Sequence, residues 1–302
     1  MDADPDPEHH ARLTTARSRE LGQELHLARK RAKLTATTVA EELGWSPGKL
    51  SKMEHGWRAT SSWDYGTLLG KLGADRQTRE RIQRIASEQD IGLFVRSFDE
   101  RISDHLMCLS IHERAARTMQ KYEPMIIPGL LQTESYARAV MSTFVSLTVE
   151  ELDMFAATRM ERQTVLKGEQ SPDTTCYIHE AALKTVMGSY RVMHDQMMRL
   201  VFMCGWRRLR PRVIPMAAGG HWALSCGYNL MTFSRSISPV AYSENDVSGV
   251  FAEQERAVQR FQAKSKALAA LALDVDRSRK VFSRWADFYD RRAEGPDLAE
   301  ER

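Results

Sequence analysis

Cysteine is scarce: Cys108, Cys176, Cys204 and Cys226 are the only four in 302 residues, spaced 68, 28 and 22 apart. No C-x-x-C pair occurs, which excludes a zinc clamp or dithiol redox site of the usual spacing, so the four read as reduced, mostly buried thiols. With 17 Gly and 10 Pro the chain has too few of either for a fibrous or low-complexity protein. Long apolar runs are missing too. Met197 to Trp206 is interrupted by Arg199 and Ala267 to Leu273 is short, against the roughly 20 residues that span a bilayer. The first ten residues hold four acids and no Lys or Arg, the reverse of a secretory leader. A cytoplasmic protein without membrane contact is expected.

Catalytic signatures are equally sparse. His179-Glu180 starts like a zinc-protease motif, but the second imidazole belongs one turn on, at position 183, which is Leu. No G-x-S-x-G elbow, phosphate-binding loop or dinucleotide glycine pattern occurs. His105 and His112 lie seven apart on one helical face and His9-His10 sits in the acidic tail; they read as satisfied or exposed histidines. No catalytic residue, metal or cofactor is therefore expected, and a hydrolase is only a remote alternative.

What the chain does have is enough apolar material for a core, 42% hydrophobic with 10 Phe, 8 Tyr and 6 Trp, in a length suited to about two domains. It also has charge in one place. The net charge is +3, yet residues 11–60 carry ten bases and five acids, while the 242 residues after them are nearly balanced. A local basic excess suits a phosphate-binding unit.

That basic segment reads as helix, turn, helix. Leu21, Leu25, Ala28 and Ala32 form one helical stripe, closed by Arg29, Lys30, Arg31 and Lys33 at the end where cations suit the helix dipole. Thr35 can cap a second helix from Ala36 to Leu43, Gly44 can make the turn, and Ser46-Pro47 can open a third. Counted from Ala36 as position one, a twenty-residue helix-turn-helix wants a small residue at five and Gly at nine. It wants apolar residues at four, eight, ten, fifteen and eighteen. Ala40, Gly44, Val39, Leu43, Trp45, Leu50 and Met53 fill all seven. With Trp63 to Leu72 and Arg76 to Gln89 as further helices, five helices close the domain. On the third helix Pro47, Gly48, Lys49, Ser51 and Lys52 face outward, so Lys49 and Lys52 are candidates for guanine edges or phosphates. Ser46 and Ser51 are candidates for phosphate oxygens. Thr37 and Thr38 can assist from the preceding helix, and Arg58 can hold the backbone.

These residues resemble the lambda-repressor-like, Xre-type helix-turn-helix family, with LGWSPGKLSKMEHG standing where members show the turn and the helix ending in Glu-x-Gly. Ala36 departs from it, since many members place a phosphate-binding Gln there.

Beyond residue 95 a helix from Cys108 to Tyr122 is expected, followed by an irregular stretch through Pro124, Pro128 and Gly129. Thr133 can cap a helix carrying Tyr136, Val140 and Phe144. Thr148 with Glu151 makes a capping box. Extended segments follow at 175–179, 212–216, 230–233 and 240–242. A long amphipathic helix covers 247–272, and Asp276 can cap a last one with Val281, Trp285 and Phe288. The fold class is thus mainly α with a small sheet (α+β): a disordered tail 1–14, a five-helix domain 15–90, a mixed α/β domain 95–292 and a tail 293–302.

Arg159 and Arg162 fall on the stripe of Leu152, Phe155 and Leu166 that otherwise faces the core. Buried guanidinium groups need partners, for which Glu180 and Glu244 are candidates. An internal salt bridge is favoured over a site for a ligand carboxylate.

The run YEPMIIPGLLQTESYARAV, Arg159 with Arg162-Gln163, IHEAALKTVMG, RVIPM and VAYSEN is similar to the C-terminal domain of a large regulator family of filamentous, high-GC bacteria. His179 and His221-Trp222 depart from it. The resemblance implies an antitoxin-like transcriptional regulator, often encoded beside a small partner protein. The expected function is sequence-specific binding of a double-stranded DNA operator by a homodimer whose C-terminal domain senses either a small partner protein or a small-molecule effector. The alternative is an antitoxin that sequesters its partner and regulates its own gene. Arg159, Arg162, Gln163, Glu180 and Glu244 are the regulatory candidates.

Overall fold

Side-chain caps set the helix starts. In the computed structural model, which describes residues 14–57, 61–97, 104–143, 147–234 and 237–294, Thr15 caps α1 (Ala16–Arg31), Thr35 caps α2 (Ala36–Glu42) and Ser46 caps α3 (Pro47–Glu54). Ser61 and Asp75 cap α4 (Ser62–Lys71) and α5 (Arg76–Ser87). Each cap oxygen accepts a backbone N–H that the first helical turn leaves unpaired. Leu21, Leu25, Val39, Leu50, Met53, Leu68, Ile82 and Ile85 fill one core among the five helices. Gly44 takes φ +62 at the turn between α2 and α3. At Gly22 the end of α3 passes so close that a Cβ would lie 2.5 Å from the Glu54 carbonyl oxygen.

The rest of the chain is built on a seven-stranded mixed sheet in the order β1-β7-β6-β5-β2-β3-β4. The strands are β1 (Leu93–Ser97), β2 (Thr118–Glu123), β3 (Asp173–His179), β4 (Leu209–Ile214), β5 (Tyr228–Thr232), β6 (Val240–Glu244) and β7 (Ser248–Ala252). β2, β3 and β4 run parallel, with helical crossovers, and the other pairs are antiparallel. One face carries Tyr122, Tyr177, Tyr228, Leu230 and Ala241 and is covered by α11 (Glu255–Leu271) through Val258 and Leu268. The other carries Met119, Cys176, Ile178, Met231, Val240 and Phe251. It packs on α6 (Asp104–Ala115), α7 (Glu134–Met141), α10 (Tyr190–Met203) and α12 (Val275–Ala293). Both α8 (Val149–Arg162) and the short α9 (Glu180–Lys184) link strands within the parallel half.

Three expectations are corrected. The helix expected to run to Tyr122 ends at Ala115, and Thr118–Glu123 is the central strand β2. Its side chains alternate between the two sheet faces, Met119 and Lys121 on one and Tyr122 on the other. The helix expected from Val247 starts only at Glu255, because Ser248–Ala252 pairs with both β1 and β6. The last helix is capped by Asp274, whose carboxylate accepts from the Arg277 amide at 2.8 Å, while Asp276 lies inside the first turn. The capping box of Thr148 and Glu151 forms as expected. Phe144, Arg58, residues 1–13 and residues 295–302 lie outside the described residues.

Candidate nucleic-acid interface and the polar centre of the C-terminal domain

The basic segment spends much of its charge on its own structure. Arg29 donates to both Glu54 oxygens (2.5 and 2.7 Å) and to the Leu34 carbonyl (2.9 Å), and His26 Nδ1 lies 2.8 Å from the same carboxylate. Burial pushes the Glu54 carboxyl up, but Arg29 and His26 together hold it below its ordinary range. Arg17 donates to the Ile85 and Ala86 carbonyls, Arg19 to the Thr14 carbonyl and Glu253, and Arg31 to the Thr78 hydroxyl. Lys30, Lys33 and Lys52 remain exposed.

On the outward side of α3, Ser46, Pro47, Gly48, Ser51 and Lys52 are exposed, as is Thr37 on α2. Two of the expected contacts are otherwise engaged. Thr38 is half-buried with its hydroxyl 2.8 Å from that of Thr35, and Lys49 reaches Asp64 on α4 at 2.6 Å while lying 4.0 Å from the centre of the Trp45 ring. Sequence spacing placed Lys49 outward but could not reveal a carboxylate fifteen residues away. Trp57, three residues after α3, and Trp63 in the first turn of α4 are 50% and 81% exposed, and both lie outside the twenty-residue template.

A second, buried polar system joins α1 to the sheet. Arg96 on β1 pairs with Glu20 of α1 and, at 2.8 Å, with Glu88. Arg81 lies 3.2 Å from Glu24. The Ala16 amide donates to Glu253 at 2.6 Å, and the Thr15 hydroxyl donates to Asp90 at 2.6 Å. Below them His112 is buried, and burial together with nearby Arg19 lowers its pKa to about 3.

The polar centre of the C-terminal domain is built around Glu113 of α6, which is fully buried. Arg162 of α8 donates to both of its oxygens (2.6 and 2.9 Å), Lys121 of β2 at 2.9 Å and Asn229 of β5 at 3.1 Å. Burial alone would raise this carboxyl, but Arg162 and Lys121 bring it down to about 2. The internal salt bridge expected for Arg162 is present, but its mate is neither Glu180 nor Glu244. Glu180 accepts from the Met216 amide (2.8 Å), and Glu244 accepts from the Tyr242 hydroxyl. Glu113 was legible only as a polar residue one turn after Leu109 on a buried helix face.

Gln163, with Gln132 and Gln196, holds the Ile127 to Thr133 turn. Gln132 donates to the Ile127 carbonyl (2.7 Å), Gln163 to those of Gly129 (3.0 Å) and Gln132 (2.8 Å), and Gln196 to that of Leu131 (3.0 Å). A buried turn lacks ladder partners, and side-chain amides supply both donors and acceptors for its backbone. Arg159 donates to the Gln132 side chain at 2.8 Å, and Arg199 to that of Gln163 at 2.6 Å. His179 and His221 each cap a helical turn, accepting from the Ala181 (3.2 Å) and Ala223 (3.1 Å) amides.

Residues 20–82 match the family model of a helix-turn-helix domain. Residues 107–284, more than half of the chain, match that of a domain of unknown function, DUF5753. The chain belongs to the DUF5753 family. No curated protein and no solved structure matches it. The DUF5753 segment contains strands β2 to β7 and the whole Glu113 centre, whereas β1 lies between the two matched segments. The helix-turn-helix domain in front of it is that of a DNA-binding regulator. Among the described residues no helix is long and apolar enough to cross a membrane.

Proposed function

We propose that this chain is an Xre-type transcriptional regulator of the cytoplasm, without catalytic activity of its own. It reads an operator through α3 and receives a signal, from a small partner protein or a small molecule, through its DUF5753 domain. The observation that carries this reading is the exposed outer side of α3, where Ser46, Ser51 and Lys52 sit on a helix whose inner side, Leu50 and Met53, is locked into the core. Few of these side chains can read a base edge, so one unit supplies little discrimination. A homodimer on an inverted repeat, with half-sites roughly 10 base pairs or a multiple apart, multiplies it.

Selection of bound fragments from genomic DNA tests the reading. Recovery of an inverted repeat, with light scattering showing a dimer, supports it. A monomer at micromolar concentration bound one-to-one to a single half-site overturns the dimer, and no enrichment overturns operator recognition. If the chain acts mainly by sequestering a small partner, removal of that partner's gene will leave operator occupancy without consequence for other genes.

A further inference from the structure

A cavity of about 290 Å³ opens where the outer side of α10 meets the end of the Ile127 to Thr133 turn. Its apolar walls are Met198, Phe202 and Met203 of α10 and Trp206 just past the end of that helix. Asp195, Met198, Arg199 and Phe202 lie within two turns on one stripe of the helix, so a single element builds most of the site. Met203 is buried beneath it, and Phe202, 68% exposed, stands at the cavity rather than alone on the surface. A concave apolar lining with a few convergent polar groups is the usual make-up of a small-molecule site.

The polar groups of the lining leave one charge open. Asp195 is answered by His194 at 3.0 Å and Arg191 at 3.5 Å. Arg199 is not answered: its Nε donates to the Leu131 carbonyl at 3.1 Å and its Nη2 to the Gln163 side chain at 2.6 Å, both neutral. No carboxylate lies within ion-pairing distance of it among the described residues, whereas Arg29, Arg96 and Arg162 each reach one. Burial lowers the Arg199 pKa with no acidic group opposing the shift, so its charge bears a desolvation cost without the partner that would offset it. Nη1 bonds no described residue and is not sealed from solvent. Thr133, two residues after the carbonyl that Arg199 holds, accepts from the Tyr136 amide at 3.1 Å and gives its own hydroxyl proton to no described residue. Two unused donors thus converge on the cavity from its turn side.

We propose that this cavity binds a small aromatic monocarboxylate, its carboxylate on Arg199 Nη1 and the Thr133 hydroxyl and its ring among Met198, Phe202 and Trp206. The lining selects this class. One open cation calls for one negative charge, and a carboxylate offers an oxygen to each of the two donors. A dianion would bring a second charge against apolar walls and Asp195, and a neutral ring would leave Arg199 as it is. The ammonium of an amino acid would find only Asp195, which is already paired. Two aromatic side chains and two methionines favour a ring over a flexible chain, through edge and sulfur contacts. This deepens the reading of the domain as a signal receiver by naming the chemistry of the signal, and rests on that reading only for its consequence at DNA.

The test uses the full chain without DNA. Benzoate, phenylacetate, 4-hydroxybenzoate and indole-3-acetate, each beside its primary amide, are screened by thermal shift at millimolar concentration and then by calorimetry. At least one carboxylate should bind, and its amide should bind about tenfold more weakly or worse, as expected for loss of a charge-assisted hydrogen bond. Arg199→Gln should weaken the carboxylate to a similar degree, and Phe202→Ala by about fivefold through the lost ring contact. If Arg199→Gln does not fold, the amide comparison and Phe202→Ala, at an exposed position, decide. The proposal is overturned if none of the four binds, if the amides bind equally well, if acetate or inorganic phosphate competes as well as the aromatic acid, or if Phe202→Ala binds unchanged. Lys52→Ala serves as the separating control: it should lose operator DNA yet keep the aromatic acid, so failure of one reading is not mistaken for failure of the other.

Discussion

Replacing Arg162 with Ala would strip Glu113 of two of its four side-chain hydrogen bonds, at 2.6 and 2.9 Å, while leaving Lys121 at 2.9 Å and Asn229 at 3.1 Å. Breaking a buried ion pair from one side typically costs about 3–5 kcal/mol, because the remaining charge stays out of water. Here Lys121 still compensates it, which places the expected cost near the lower end, about 3 kcal/mol. For a cooperative unit of roughly 150–250 residues each kcal/mol moves the melting temperature by about 2–4 °C, so a fall of about 6–12 °C is expected. Differential scanning calorimetry of Arg162→Ala beside the parent measures it, with operator binding followed at 20 °C, where the fold persists. Lys at the same position should recover only part of the loss, since an ammonium cannot bond both carboxylate oxygens in the guanidinium's forked geometry. A melting temperature unchanged within 1–2 °C, roughly the effect of half a kcal/mol, would refute the argument. That result, with DNA binding intact and the response to signal gone, would make Arg162 a ligand or partner residue.

Other outcomes follow from the same geometry. Lys52→Ala should weaken operator binding by about 1–3 kcal/mol for a base contact, or flatten the salt dependence by about one ion for a phosphate contact. Lys49→Ala should cost less, because its ammonium is held at 2.6 Å by Asp64; fluorescence anisotropy across a salt series distinguishes them. Gly56→Ala should destabilise the helix-turn-helix domain by roughly 2–5 kcal/mol, combining left-handed strain at φ +68 with overlap of the new Cβ and the Ser18 carbonyl; urea unfolding reads it. His105 and His112 are held neutral, with pKa values lowered by burial to about 4 and about 3. Their contribution is complete above the unfolded value near 6.5 and is lost as pH falls toward those values, at about 1.4 kcal/mol per pH unit for each. Urea midpoints between pH 6.5 and 5 should therefore fall more gently for His112→Gln than for the parent.

How far the sequence could be read depended on the range of the interaction involved. The seven helix-turn-helix slots, the caps at Thr35, Ser46 and Thr133, and the box at Thr148 and Glu151 all depend on residues within about a dozen positions of each other, and all appear in the structure. The burial of Arg162 was also legible, since a cation on an apolar stripe must be covered. Its mate was not, because Glu113 lies 49 residues away and nothing in the local pattern distinguishes it from Glu180 or Glu244. The same gap hid β2. A strand reading Thr-Met-Gln-Lys-Tyr-Glu looks too polar for the middle of a sheet until Lys121 is seen to be neutralised from α6. β7 was hidden by a coincidence: Phe251 sits where a helical stripe extended back from Val258 would place an apolar residue, although pairing with β1 and β6 decides its conformation.

The position of β1 bears on how these regulators could be recombined. Residues 88–97 look like a natural place to cut, between the last helix of the DNA-binding unit and the domain behind it. Yet Glu20 of α1 is answered by Arg96, a residue of the sheet, and the start of α1 is tied to Glu253 immediately after β7. A fragment ending at residue 90 would leave Glu20 without Arg96, and a foreign head grafted at that point would meet Arg96 and Glu253 with nothing to offer them. Exchange of specificity between members should therefore succeed only when the α1 residues that face the sheet travel with β1 and β7, or when the graft is confined to α2 and α3, which take no part in that seam.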